Sequence, residues 1–375
     1  MPSTTNTPAA YDAVIVGGGP AGLSAALILG RCRRRVLVCD LGKPRNFASH
    51  ALHGFLSRDG IDPAELLRVG REQLEPYGVE MILREVTDAA RVPDGFRVTL
   101  GDGRVIAARR LLLASGVVDR LPQFEGAAEM YGRSLFHCPY CDGWESRDMP
   151  LAAYGPGREA YGLALGLKTW SQDVVLCTGG KSRLVARDRA RLRRLGIPVR
   201  EEAIVRLEGE DGRLRRVVFA AGEPLDRGAM FFKTGQHQRS PLAQRLGCDF
   251  NSRGTVRTNR FEGGGVPGLY VAGDASEDVQ LVVVAAAEGA KAGFAMNKGL
   301  QKEDLALAEL GRREAAGGRR KRTGSRATRG SETAAVLRGQ RVREPSDQQE
   351  RGGRGTPRPT RSGIGNRKEQ NAQDE

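Results

Sequence analysis

No long apolar run and no apolar leader is found in this chain of 375 residues. Its longest uninterrupted aliphatic stretch, residues 281–287, falls far short of the roughly 20 residues that a membrane-spanning helix needs. The opening MPSTTNTPAA has neither the basic stretch nor the apolar core of a secretory signal, so a cytoplasmic protein without membrane attachment is expected. Cysteine is scarce, at six residues, which excludes a disulfide-stapled scaffold in a chain of this size. Histidine is scarcer, at four, and no second close pair of Cys or His accompanies the one tight cysteine pair. A tetrahedral zinc site needs two further ligands, so no metal is expected. Nor does any segment repeat with a period of 20–50 residues, which argues against solenoids and propellers.

The formal charge of +14 raises the question of nucleic acid, and its location answers it. Residues 311–375 hold 17 Lys and Arg against 8 Asp and Glu, so +9 of the charge belongs to that end and only +5 to the rest. The segment is rich in Arg, Gly, Ser, Gln and Thr and poor in large apolar residues, and it cannot bury enough surface to offset the entropy of ordering. It is expected to be a disordered basic tail, solvated and without a specific nucleic-acid target.

The 50 glycines cluster beside apolar runs rather than recurring at a fixed period, as in nucleotide-binding turns. Residues 12–40 read as strand, glycine turn, helix and strand, a βαβ unit. The same grammar returns from Leu151, turns through Gly155 and Gly157, continues as a helix to about Trp170 and ends in a strand at 174–177. An apolar strand with a small-residue exit, Ala114-Ser115-Gly116, lies between the two units. Another, ending in Gly273-Asp274, follows the second unit and leads into an Ala-rich helix to about Leu300. That last segment has no glycine-rich start of its own and completes the first domain. The expected fold class is therefore α/β, with two Rossmann-like nucleotide-binding domains, the second inserted in the first. The boundaries read as 11–118 and 246–300 for the first domain, 119–245 for the insertion, and 301–375 for the tail.

Three groups of residues carry chemistry. In Gly17-Gly18-Gly19-Pro20-Ala21-Gly22, Gly17 permits the tight turn, Gly19 lets backbone approach a pyrophosphate, and Gly22 lets the helix press on the strand. The helix start attracts the phosphates, and Asp40, at the end of the next strand, is placed to accept from the adenosine ribose. Gly273-Asp274 ends a late strand directly before a helix of small residues, where its carboxylate can hold ribityl hydroxyls. Together with Ser115 and Gly116, and with Gln280 and Leu281 at the start of that helix, it favours FAD over a nicotinamide in this domain. The third group is Cys138-Pro139-Tyr140-Cys141-Asp142-Gly143: two cysteines that can close a small disulfide ring, with Asp142 beside them to shuttle protons. Spacing favours a redox pair and leaves half of a zinc site or a structural disulfide open.

The order of FAD fingerprint, CxxCDG, inserted second nucleotide domain and GD before an Ala-rich helix resembles the low-molecular-weight thioredoxin reductases over roughly residues 11–300. The resemblance implies that Cys141 lies against the flavin, that Cys138 attacks the substrate disulfide, and that Asp142 is the acid and base. It also implies a homodimer whose inserted domain rotates, and a thioredoxin-like protein as partner.

Two segments depart from that family. Pro44-Arg45-Asn46, followed by His50, His53 and Gly54, looks more like the corresponding stretch of the dithiol oxidases of epidithiodiketopiperazine biosynthesis, which work on a small-molecule dithiol without bound nicotinamide. There Arg45 and Asn46 are candidates to contact the FAD diphosphate or adenosine, and His53 to lie near the flavin. Those oxidases, however, carry His where this chain has Asp142. The second fingerprint, Gly155-x-Gly157-x-x-Ala160, can still cradle a pyrophosphate. After its next strand the chain reads Thr178-Gly179-Gly180-Lys181-Ser182-Arg183, without the family's His-Arg-Arg run, so NADPH stays an open expectation that rests on Lys181 and Arg183. A flavin-binding redox sensor without turnover is a third reading.

Overall fold

The computed structural model describes residues 11–276 and 279–321. β1 (Tyr11–Val16) runs into α1 (Pro20–Arg31), whose first turn is set by Pro20, and the chain returns as β2 (Val36–Asp40). α2 (Pro63–Glu72) starts at Asp62, whose carboxylate accepts from the amides of Ala64 and Glu65. β3 (Glu80–Leu83), β4 (Val86–Val92), β5 (Gly95–Leu100) and β6 (Val105–Leu113) complete the first stretch of this domain.

β7 (Val117–Asp119) leads out to α3 (Ala127–Met130), β8 (Leu135–Phe136) and the short α4 (Pro139–Asp142), which carries the cysteine pair. Beyond it come β9 (Leu151–Tyr154), α5 (Tyr161–Leu167), β10 (Val174–Cys177), α6 (Ala186–Arg194) and β11 (Val199–Arg200). A three-stranded antiparallel sheet of β12 (Ile204–Glu210), β13 (Arg213–Phe219) and β14 (Leu225–Asp226) precedes β15 (Ala229–Phe232). β16 (Gln236–Gln238) brings the chain back to α7 (Leu242–Arg245), β17 (Leu269–Val271), a 3-10 turn at Gly273–Ala275 and α8 (Val282–Lys321).

The first sheet has the order β3-β2-β1-β6-β5-β4, with β17 paired to β6. β6 is the seam. Its start pairs antiparallel with β5, Thr99 opposite Val105, and its end pairs parallel with β17, Leu269 opposite Leu111, while β1 follows its other edge. Side chains alternate across this sheet into two separate cores. Val14, Leu37, Leu111 and Leu113 pack with Phe96 and Val98 on one face, and Ala13, Ile15, Val38 and Leu112 pack with Leu29 and Met296 on the other. Burial on both faces is why these strands read as unbroken apolar runs.

The second sheet, β11-β10-β9-β15-β8, is parallel throughout, as expected of a second Rossmann-like unit. It is inserted in the first domain through the two-stranded ribbon of β7 and β16, Gln236 opposite Asp119. The return therefore falls before 245: Leu242 and Ala243 of α7 are buried in the core that holds Val14 and Leu111. The helix of the second βαβ unit is also shorter than expected, ending at Leu167 rather than near Trp170.

The last helix differs most from the sequence expectation. It does not stop at Leu300 but continues to Lys321, so the first part of the expected tail is helical, while residues 322–375 lie outside the described residues. Ion pairs hold the first turn of the extension. Asp304 meets Arg34 at 2.6 Å and Arg109 at 2.7 Å, and Glu303 meets Arg109 at 3.1 Å and Arg110 at 2.5 Å. Composition cannot separate a helix held by such pairs from a solvated tail. Replacing Asp304 by Ala is expected to cost about 1 kcal/mol, since the pairs are only partly exposed and joined in a network. Urea unfolding of the variant checks this, and an unchanged midpoint would contradict it.

Candidate active site

A cleft of about 380 Å³ opens where β1, β2, β6 and β17 end, beside the point at which the sheet order reverses between β1 and β6. It gathers nearly the whole expected cofactor set: Gly17, Gly19, Pro20, Ala21, Asp40, Arg45, Asn46, His53, Ser115, Gly116, Gly273, Asp274, Gln280 and Leu281. Cys141 and Asp142 line it as well. Gly22 is buried in α1 beneath it.

The backbone of the fingerprint turn is crowded at two of its glycines and open at a third. Gly17 has φ +109, a conformation closed to most side chains, and a Cβ on Gly22 would sit 1.9 Å from the Gly17 carbonyl oxygen. At Gly19 a side chain would meet no protein atom, so the space over the turn is open to a ligand, as a dinucleotide pyrophosphate demands. Asp40 lies against the turn at Gly18 and is held by Arg71 at 3.3 Å.

Arg45, a candidate to contact the FAD diphosphate or adenosine, is held in the cleft by protein groups. Its guanidinium forks onto Asp119, with Nε to Oδ2 at 2.7 Å and Nη2 to Oδ1 at 2.5 Å, and its Nη1 donates to Asp274 and to Gln280, both at 2.9 Å. Nη2 also reaches Gln236 at 3.3 Å. Two carboxylates and two amides so close satisfy a planar five-donor cation, which is why it is directed at protein. Burial works against the charge on Arg45, but the bonds to Asp119 and the field of Asp274 outweigh it and raise its pKa. Asp119 shows the mirror image: its burial is overcome by Arg45 and His137, and its pKa is lowered. His137, beside Tyr131 and Asp119, is itself driven toward the neutral form by burial, against the pull of Asp119.

Cys138 and Cys141 are joined as a disulfide. Only Cys141 of the two lines the cleft. Asp142 has its pKa raised to about 7, first because water is excluded from it and then because Glu145 is close, with His53 opposing. His53 reaches in from the first domain, its Nε2 3.4 Å from Glu145 Oε1 and its Nδ1 3.6 Å from Asp59 Oδ2.

The second fingerprint is not part of this cleft. Gly155 packs against the Lys233 carbonyl, and Gly157 takes φ +61 with the stem of Arg183 about where its side chain would point. Beside this loop lies a shallow depression lined by Arg158, Glu159, Tyr161, Gly162 and Lys233. Arg158 is engaged with Asp188 at 2.6 Å, and Lys181 and Arg183 are exposed. Among the described residues no group of three or more His, Cys, Asp or Glu is arranged to hold a metal ion, and no helix is long and apolar enough to cross a membrane.

Comparison with known proteins agrees with this geometry. Residues 11–289 match the family model described as pyridine nucleotide-disulphide oxidoreductase. The chain belongs to that family. Thioredoxin reductase tcpT of Claviceps purpurea is 31% identical over 291 residues, covering 72% of this chain and 88% of the relative. The crystal structure of HlmI superposes with a TM-score of 0.79 at 39% identity, over 82% of this chain and 98% of that one. An oxidoreductase from Agrobacterium tumefaciens gives 0.72 at 32% identity, over 78% and 98%. Within the family the chain is thioredoxin reductase-like: an FAD-dependent oxidoreductase acting on sulfur groups.

Sequence reasoning missed several residues of this oxidoreductase's site. Asp119 and Gln236 carry no local signal, because Arg45 lies 74 and 191 residues from them along the chain. Glu145 looked like any surface acid. Glu288 was legible: one acid inside the apolar start of α8, buried, accepting from the Gly273 amide at 2.6 Å and from the Ser276 hydroxyl at 2.7 Å, so it holds the GD turn. Arg45→Ala leaves Asp119 and Asp274 facing each other without a cation and is expected to cost about 3–5 kcal/mol. Arg45→Lys should recover only part of this, lacking the fork. Asp274→Ala should purify with much less flavin while keeping its fold. Denaturant unfolding and flavin absorbance check these expectations, and full flavin content in Asp274→Ala would contradict the second.

Proposed function

We propose that the protein passes electron pairs between bound FAD, the Cys138 and Cys141 pair, and an external dithiol or disulfide, a thioredoxin-like protein being the first choice of partner. The observation that carries this reading is that Cys141 and Asp142 line the same cleft as the fingerprint and Asp274, whereas Cys138 does not. In this reading Gly17, Gly19, Pro20, Ala21 and Asp40 hold the dinucleotide end of FAD, and Ser115, Gly116, Asp274, Gln280 and Leu281 hold its flavin end. FAD supplies the electron-pair chemistry when bound.

The chain's own residues manage sulfur and protons. A thiolate of the external dithiol attacks Cys138, the Cys138–Cys141 bond breaks, and Asp142 gives its proton to the departing Cys141 sulfur. The partner's second thiol, losing its proton, then attacks the mixed disulfide. The partner leaves oxidised and Cys138 leaves as a thiolate. Reduction of an external disulfide is the same sequence in reverse, with Asp142 taking the proton. Tyr140, 81% exposed, and Trp144, 65% exposed, flank the pair and offer a partner apolar surface.

A second reading is favoured by one feature, the nucleotide loop of the inserted domain. Glu159 stands in its depression, Arg158 donates from its Nε to Asp188, and among the described residues Lys233 is the other cation that lines it. This supports a dithiol oxidase that forms a disulfide in a small molecule and hands electrons to oxygen, with NADPH having no part. A homodimer in the cytoplasm belongs to the first reading, and light scattering tests the dimer.

Anaerobic stopped-flow with NADPH, NADH and a dithiol in parallel separates the readings. Dithiol is expected to bleach the flavin rapidly; rapid NADPH reduction lost in Lys181→Ala and Arg183→Ala would restore a nicotinamide site. In Cys141→Ser the remaining Cys138 should be trapped as a mixed disulfide with the partner. A trap formed only in Cys138→Ser would reverse the two roles. Opening of the disulfide needs the protonated Asp142, so its rate should fall as pH rises through about 7. Asp142→Asn should slow it by about 10²–10⁴-fold.

A further inference from the structure

We infer that His53 and Glu145 carry protons between Asp142 and solvent across the seam between the two domains, a relay that rests on the proposed thiol-disulfide function. Closing the Cys138 and Cys141 dithiol into a disulfide forms one S–S bond and releases two electrons and two protons. With FAD bound, the electron pair would pass to it, and a proton that the cofactor did not take up would have to leave a cleft that withholds water from Asp142.

Among the described residues a run of titratable groups leads outward from that carboxyl, its first step, Asp142 to Glu145, resting on adjacency along the chain and on the field of Glu145. Asp142 closes α4, and Glu145 stands one turn beyond it in a segment kept coiled by the Ser146 hydroxyl, which donates to the Asp142 carbonyl at 2.9 Å. From the first domain the His53 ring lies between two carboxylates, Glu145 at 3.4 Å from Nε2 and Asp59 at 3.6 Å from Nδ1. An imidazole so placed takes a proton on one nitrogen and gives it up from the other. Its separations are slightly longer than hydrogen bonds and close on tightening or through one water. Asp59 is fixed by the Gly54 amide at 2.7 Å, and its side chain is 68% exposed, so the chain ends in solvent.

The electrostatics agree with the geometry. Glu145 and His53 act on Asp142 with opposite sign, Glu145 raising and His53 lowering its pKa, and the hydroxyl of Tyr131 feels Asp142 from another side. His137, also next to the cysteines, is turned instead to Asp119 and Tyr131. His53 is thus the histidine whose ring spans from Asp142's neighbour to an exposed acid, and no flavin contact is needed to explain its position.

The test is anaerobic reduction of the flavin in the holoenzyme by dithiothreitol, followed on either side of neutral pH. Wild-type protein should show a midpoint near 7. His53→Ala, compared per bound flavin, should be slower by at least about tenfold, and added imidazole should restore most of the loss. Glu145→Gln should also be slower, with its midpoint moved to lower pH because a like charge has gone. A His53→Ala protein as fast as wild type, or one that imidazole does not help, would overturn the relay alone. Wild-type protein inert to dithiols would overturn both the relay and the function beneath it.

Discussion

Arg45 sits where three parts of the chain converge, and their arrangement depends on its charge. Asp119 ends the strand that leads out to the inserted domain, Gln236 begins the strand that returns, and Asp274 opens the turn into α8. Without a cation, two carboxylates of low exposure would lie close together in a dry region, an arrangement that costs several kcal/mol and ordinarily ends in protonation or separation. The forked guanidinium turns that repulsion into a clamp. It fixes the ribbon of β7 and β16 to the wall of the cofactor cleft, and with it the side from which α4 presents Cys141.

The same cleft sorts its ionisable groups by surroundings rather than by type. Asp119 is kept charged by Arg45, and Asp142 has its charge disfavoured by exclusion of water and by Glu145. One acid therefore stays ionised and holds structure, while burial raises the pKa of the other to about 7. The buried cysteines follow the same physics: Cys39, which also lines the cleft, has its thiol pushed up to about 12 by burial and is a poor nucleophile.

What could be read in the sequence was what short spacing encodes. Gly17, Gly19 and Gly22 describe one turn, Gly273 and Asp274 another, and Cys138 and Cys141 a ring of four residues. Each constrains backbone locally, so each could be placed before the fold was seen. What could not be read was pairing across distance. The carboxylates that hold Arg45 lie on two remote segments, and the chain gives no local hint of Asp119 or Asp274 as its partners. The boundary at 245 shifted for the same reason, since α7 belongs to whichever core buries Leu242. The last helix runs on past Leu300, where Glu303 and Asp304 find arginines on β6 and after α1, a pairing that composition alone cannot reveal.

The claim that joins these features is that FAD and the Cys138–Cys141 disulfide form one electron-exchanging unit. An anaerobic reductive titration, followed by flavin absorbance and by free-thiol count, tests it most directly. Wild-type protein should take up two electron pairs per chain, one for the flavin and one for the disulfide, and a Cys138→Ser, Cys141→Ser double variant only one. Equal uptake of a single pair by both proteins, with no thiols gained in the wild type, would contradict it.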